Sequence, residues 1–177
     1  MTRLTHFRHA ATLLITIVAG GGVALADDAA ISAIPFVMTL PSGYGEFTRQ
    51  VQTVPSPEGD IETTTWISKA LSTEAVVVTM STMPAKILDP QKLITSTRAS
   101  LLESLGATLE SEQPRAGDVP STRVLFRTDA AFFRARFTVV ADRMYQLLYV
   151  GRSAEQRAAA PVAQMFESFR ITGAGSD

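Results

Sequence analysis

Four arginines stand at spacings that could do chemistry. Arg123 and Arg127 are separated by Val124, Leu125 and Phe126, and Arg134 and Arg136 flank Ala135. Side chains alternate between faces along an extended strand, so residues an even number apart share a face. Arg123 and Arg127 then lie opposite Val124 and Phe126. Arg134 and Arg136 lie opposite Phe133, Ala135, Phe137 and Val139. A hairpin of the two strands gathers four guanidinium groups on one sheet face. Guanidinium forks bind carboxylates and phosphates bidentately, which makes this face a candidate anion site. The plainer alternative is a solvated face whose charges pair with Glu62, Glu110, Glu112 or their neighbours. Tyr145 and Tyr149 share a face of the next strand with Arg143 and Leu147. They either extend a recognition surface or pack beneath a helix.

Other chemistry is sparse. A Ser-His-Asp or Cys-His arrangement needs an imidazole base, yet the two histidines are His6 and His9 and there is no cysteine. Zinc and copper sites lose their usual ligands for the same reason. Serine does not stand three residues before Lys69, Lys86 or Lys92, where Trp66, Met83 and Asp89 are found. Gly151-Arg152-Ser153-Ala154-Glu155 departs at its last position from the Gly-x-Ser-x-Gly elbow. Carboxylates survive the elimination. Glu110 and Glu112 are expected to share a strand face, and Glu58, Asp60 and Glu62 cluster around a turn. Such groups suit a hard cation or a glycosidase pair, although solvated turn clusters are the simpler reading. Met38, Met80, Met83, Met144 and Met165 read as core filling. No cofactor and no metal is implied.

The chain has 177 residues, 46% of them hydrophobic, with 16 basic against 17 acidic residues. That is one domain's length with material for a core. Residues 1–26 have the parts of a secretory signal: Arg3 and Arg8, the apolar run from Ala10 to Val18, and Ala24-Leu25-Ala26 before Asp27. The stretch from Ala10 to Ala26 is interrupted by Gly20, Gly21 and Gly22, and it is short against the ~20 residues of a membrane span. Cleavage after Ala26 is expected, leaving a single globular domain over 27–177 with no membrane span, in the periplasm or secreted. It removes Arg3, Arg8 and both histidines, so the remainder has 14 basic and 17 acidic residues and a formal charge of −3. An acidic balance disfavours nucleic acid and anionic membranes as partners.

Elements that position these side chains follow from periodicity and punctuation. Strands are expected over Ile34–Leu40, Tyr44–Val54, Glu62–Lys69 and Ala75–Thr82, the last a buried strand rich in valine. Asp89, Pro90 and Gly106 punctuate a helix with an apolar stripe of Ile94, Thr97, Leu101 and Leu105. Strand patterns return from Ala107. Pro120–Asp129, Phe132–Ala141 and Arg143–Gly151 have connections too short for parallel crossovers, so they form an antiparallel meander. Ser153 and Gln156 start a last amphipathic helix that begins near, or is kinked at, Pro161. The fold class is α+β: an antiparallel sheet with two main helices packed on it.

Three stretches resemble the PsbP-like and DcrB-like exported α/β/α sandwich proteins. They are Phe36-Val37-Met38-Thr39-Leu40-Pro41-Ser42-Gly43-Tyr44, the run from Arg134 through Arg143-Met144-Tyr145-Gln146-Leu147-Leu148-Tyr149-Val150-Gly151, and Phe166-Glu167-Ser168-Phe169. The resemblance covers most of residues 34–172 and implies an accessory or scaffold module of an envelope or membrane complex. It transfers no active-site residue. The expected function is thus a non-enzymatic interaction module that binds an envelope protein, or forms a homodimer, through its sheet or a sheet edge. Two alternatives remain at this stage. One is a binder of a small anionic or amphipathic ligand through Arg123, Arg127, Arg134, Arg136, Tyr145 and Tyr149. The other is a carboxylate-based hydrolase.

Overall fold

Period-two alternation is strongest between Ser121 and Gly151, and this stretch supplies three adjacent strands of the main sheet. The computed structural model describes residues 34–56, 59–70, 74–84, 89–115 and 119–172. The signal-like segment 1–26 and Glu58 lie outside the described residues. In chain order the strands are β1 (Phe36–Val37), β2 (Thr48–Val54), β3 (Ile61–Lys69), β4 (Ala75–Thr82), β5 (Thr108–Arg115), β6 (Ser121–Arg127), β7 (Phe132–Val140), β8 (Arg143–Gly151) and β9 (Arg170–Ile171). The helices are α1 (Pro90–Leu105), α2 (Ala154–Ala158) and α3 (Ala160–Ser168). A 7-stranded sheet runs β2-β3-β4-β8-β7-β6-β5 with every pair antiparallel, and β1 pairs with β9 separately.

Alternation divides the sheet into two apolar faces, each with its own cover. One face presents Ile67, Val77, Val124, Phe126, Phe137 and Leu148 to Leu93, Ile94 and Leu101 of α1. The other presents Trp66, Val76, Val78, Leu147 and Tyr149 to Val162, Met165 and Phe166 of α3. Helices on opposite faces of one antiparallel sheet make the α/β/α sandwich that the α+β reading implied. Among the described residues no helix is long and apolar enough to cross a membrane.

Local chemistry accounts for the helix ends. Asp89 Oδ1 accepts from the Lys92 amide at 2.9 Å, and Pro90 opens α1 without a donor to lose. Gly106 adopts φ 59°, a left-handed value, while the Ala107 amide donates to the Leu102 carbonyl at 2.9 Å. Ser153 Oγ caps α2 by accepting from the Gln156 amide, and Gln156 Oε1 accepts in return from the Arg152 amide. The break near Pro161 is sharper than a kink. Ala159 leaves helical geometry with φ −57° and ψ 143°, so the expected last helix is two helices, with Pro161 in the first turn of the second.

Two N-terminal expectations need shortening. The strand expected over Ile34–Leu40 is reduced to Phe36–Val37, because its partner β9 has only two residues and the Thr39 amide turns to Ser168 Oγ. The strand expected from Tyr44 begins at Thr48, with Tyr44 making an isolated bridge to Ala70. The shortened segment still anchors the α3 face. Phe36 lies 5.3 Å from the Trp66 ring centroid and 5.6 Å from that of Phe169.

One carboxylate ties this N-terminal segment to the sheet. Glu74 Oε2 accepts hydrogen bonds of 2.9 Å from both Tyr44 and Tyr149. Gly151 leaves room for the Tyr149 phenol, since a Cβ at that position would stand 2.8 Å from its oxygen. Gly151→Ala is therefore expected to lower stability by about 1–3 kcal/mol, read from chemical denaturation. Burial, and then the hydrogen bond to Glu74, raise both phenol pKa values above the ordinary 10.0. The folded state thus keeps protons that the unfolded chain releases. Stability should be intact below about pH 10 and decline as pH climbs beyond it. Denaturant midpoints from about pH 8 to about pH 11 test this, with a shallower decline expected in Tyr44→Phe.

Candidate anion-binding face

Strand register settles where the four arginines stand. Arg123 of β6 lies directly across from Arg136 of β7, Arg134 lies across from Leu125, and Arg127 across from Phe132. All four share the sheet face that carries Leu147 and Tyr149, since β8 pairs Arg136 with Leu147 and Arg134 with Tyr149. This is the α3 face. The hairpin therefore does gather the guanidinium groups expected from the alternation.

Their partners differ. Arg123 Nη2 lies 3.0 Å from Glu167 Oε1 of α3, with Arg123 partly and Glu167 largely exposed. Arg127 Nε lies 3.4 Å from Glu110 Oε1. Arg134 places its guanidinium carbon 4.8 Å from the centroid of Phe166, and Arg136 lies 6.0 Å from that of Phe169. These two half-buried groups make no hydrogen bond or ion pair with any described residue. Burial, and then the charge of Arg123, lower the pKa of both. Arg170 and Arg115 add further positive charge around Arg136, against Glu167.

Tyr145 and Tyr149 are not part of an open surface. Tyr149 is wholly buried and committed to Glu74, and Tyr145 is buried beside Thr138, its cross-strand neighbour. Packing beneath a helix was the plainer alternative for this pair; Tyr149 packs in the apolar cluster with α3, and Tyr145 is buried on the same sheet face outside that cluster. They border the arginines from below without joining them at the surface.

The carboxylates also depart from expectation. Glu110 and Glu112 do not share a face. A β-bulge between Leu109 and Ser111 shifts the pairing with β6 by one residue. Glu110 is thereby turned toward Arg127 and Arg157 of α2, while Glu112 turns to Arg98 of α1 on the opposite face. This pair cannot act as two facing acids. Among the described residues there is no group of three His, Cys, Asp or Glu suited to a metal ion.

Residues that spacing did not single out complete the face. Arg157 of α2 bonds Glu110 and the carbonyls of Phe126 and Phe133, and lies over the Phe132 ring. Arg170 folds back onto the carbonyls of Glu167 and Phe169, closing the end of α3. Arg115 lies across from Ser121, and Ser121 across from Thr138. Glu167 had a legible signal, since it stands between Phe166 and Phe169 on an amphipathic helix and so occupies the flank. Arg115 required the register, which the bulge alters.

Glu110 serves both Arg127 and the mostly buried Arg157, so its loss would leave a guanidinium poorly compensated. Glu110→Gln is expected to cost about 1–3 kcal/mol in denaturant unfolding. The exposed Glu167→Gln should cost less than about 1 kcal/mol.

Comparison with known proteins bears on the fold. No family model matches this chain, and no curated relative does. A solved structure that it resembles is the solution structure of cyanobacterial PsbP (CyanoP) from Synechocystis sp. PCC 6803, with a TM-score of 0.51 and 13% sequence identity. The match covers 83% of this chain and 98% of that one. The PsbP-like part of the sequence resemblance therefore holds at the level of fold, and no family model or curated relative supports the DcrB-like part.

Proposed function

We propose that this chain is an exported, non-enzymatic accessory module that binds a protein partner of the cell envelope through its arginine face. One observation carries the proposal. In a chain with net charge −1, one sheet face brings together Arg115, Arg123, Arg127, Arg134 and Arg136, with Glu110 and Glu167 as the carboxylates paired to them. Charge segregated in this way steers and orients an acidic partner more than it stabilises the fold. The partly exposed Arg123 and the exposed Arg127 form the rim of that surface.

Export is supported by the signal pattern in residues 1–26. A non-enzymatic role is supported by the composition beyond residue 26, which has neither His nor Cys, and by the opposite orientation of Glu110 and Glu112. Binding of a small anion at the same face is a second reading. The two half-buried arginines, which have no carboxylate at ion-pair distance among the described residues, favour it.

Site-specific photocrosslinking in intact cells tests the proposal. A probe at Gln113, across from Arg123, should capture one recurring envelope protein. The double variant Arg123→Gln/Arg127→Gln should reduce that capture about tenfold while leaving the fold intact, a loss of about 1.4 kcal/mol. Mass spectrometry of the exported protein should find Asp27 at its amino terminus. Undiminished capture by the double variant, or equal capture by a probe at Val51 on the far edge strand, would contradict the arginine-face proposal.

A further inference from the structure

We infer that Arg123, Arg134 and Arg136 form a site for one oxyanion, a carboxylate or a phosphate group, and that Glu167 of the chain itself competes for it. This inference rests on the arginine face being the binding surface, and it specifies the chemistry recognised there.

The free protein holds these groups in an arrangement that works against its own stability. Arg134 and Arg136 are half-buried against aromatic rings, and among the described residues neither has a carboxylate at ion-pair distance, the charge of Glu167 acting on both without contact. Removing a charge from water without pairing it is unfavourable. Arg123 stands directly opposite Arg136, and like charges in cross-strand register repel. Arg136 Nε is buried without a hydrogen-bond partner, and so is Thr138 Oγ1, two residues further along the same face. Thr138 is 1% exposed. Unfilled donors and an excess of positive charge, offset in part by Glu167, meet on the α3 face.

An oxyanion answers the excess of charge and supplies acceptors to the guanidinium groups. Its oxygens accept from guanidinium forks, and its charge offsets the repulsion between Arg123 and Arg136. Phe166 and Phe169 hold the two guanidinium planes by their faces, which limits their freedom before the ligand arrives. Glu167 already supplies such a group to Arg123 from α3. Its side chain is 61% exposed, so the ion pair is weak and open to displacement. Arg170 bonds the carbonyls of Glu167 and Phe169, keeping the end of α3 beside the site.

Thermal unfolding of the purified protein provides the test. Inorganic phosphate is titrated against chloride at constant ionic strength, and a short oligoglutamate peptide is titrated in a parallel arm. Either anion should raise Tm saturably, because a ligand that binds the folded state stabilises it. A response to phosphate identifies a phosphate group as sufficient, and a response to the peptide alone identifies a partner's carboxylates. Arg136→Met keeps the stem against Phe169 and removes the charge. It should unfold at or above the wild-type temperature without anion, and it should lose the anion-dependent shift. Glu167→Gln should bind the anion about two- to fivefold more tightly, as expected when a weak surface pair is removed.

Absence of a saturable shift in both arms would overturn the site. So would a shift retained in Arg136→Met, or unfolding of that variant at markedly lower temperature without anion. The outcome is separable from that of partner capture. Arginine-dependent capture without any anion-induced shift would reject the discrete site and leave the docking face standing. An anion-induced shift with capture indifferent to Arg123 and Arg127 would do the reverse.

Discussion

A helix of limited length over a sheet of seven strands sets the conditions for everything on the α3 face. The 16 residues of α1 extend about 24 Å, whereas the nine of α3 extend about 13 Å. Seven strands at their usual spacing are about 29 Å wide. The α1 face is filled with Phe126, Phe137, Leu148 and other apolar groups, and it closes into a core. On the α3 face the apolar set centres on Trp66, Val76, Val78, Leu147 and Tyr149, near the middle of the sheet. Beyond that cover, strands β7 and β6 carry arginines where the opposite face carries phenylalanine and valine. The border between covered and uncovered sheet is where Arg134 and Arg136 become half-buried.

Two acidic groups keep that border in place. Glu74 receives both Tyr44 and Tyr149, so the chain before β2 is held against the sheet next to α3. Glu110, turned by the bulge, holds α2 through Arg157 and the rim of the face through Arg127. Both acids are taken up by these partners, and neither is at ion-pair distance from Arg134 or Arg136.

Much of this was readable from residue order. The α1 helix was bounded by Asp89, Pro90 and Gly106, each acting through its own backbone chemistry. The common face of Arg123, Arg127, Arg134 and Arg136 followed from a period of two, because the hairpin contains no bulge. The same rule failed for Glu110 and Glu112, since a bulge in β5 inserts one residue and nothing local marks it. Long-range pairings were also beyond local patterns. The β1–β9 contact joins the two ends of the described chain, and Glu74 meets Tyr149 across 75 positions. The split at Ala159 was half visible, since Pro161 demanded a disruption without saying whether it was a kink or a new helix.

The central claim is that an anion binds at the half-buried Arg134 and Arg136, displacing the influence of Glu167. Arginine side-chain NMR observes this most directly, through the Nε–H signals of individual guanidinium groups during a phosphate titration at constant ionic strength. The account predicts saturable shifts at Arg134, Arg136 and Arg123, with Arg49 and Arg143 unmoved. Equal drift of all arginines, or no change at Arg134 and Arg136, would contradict it.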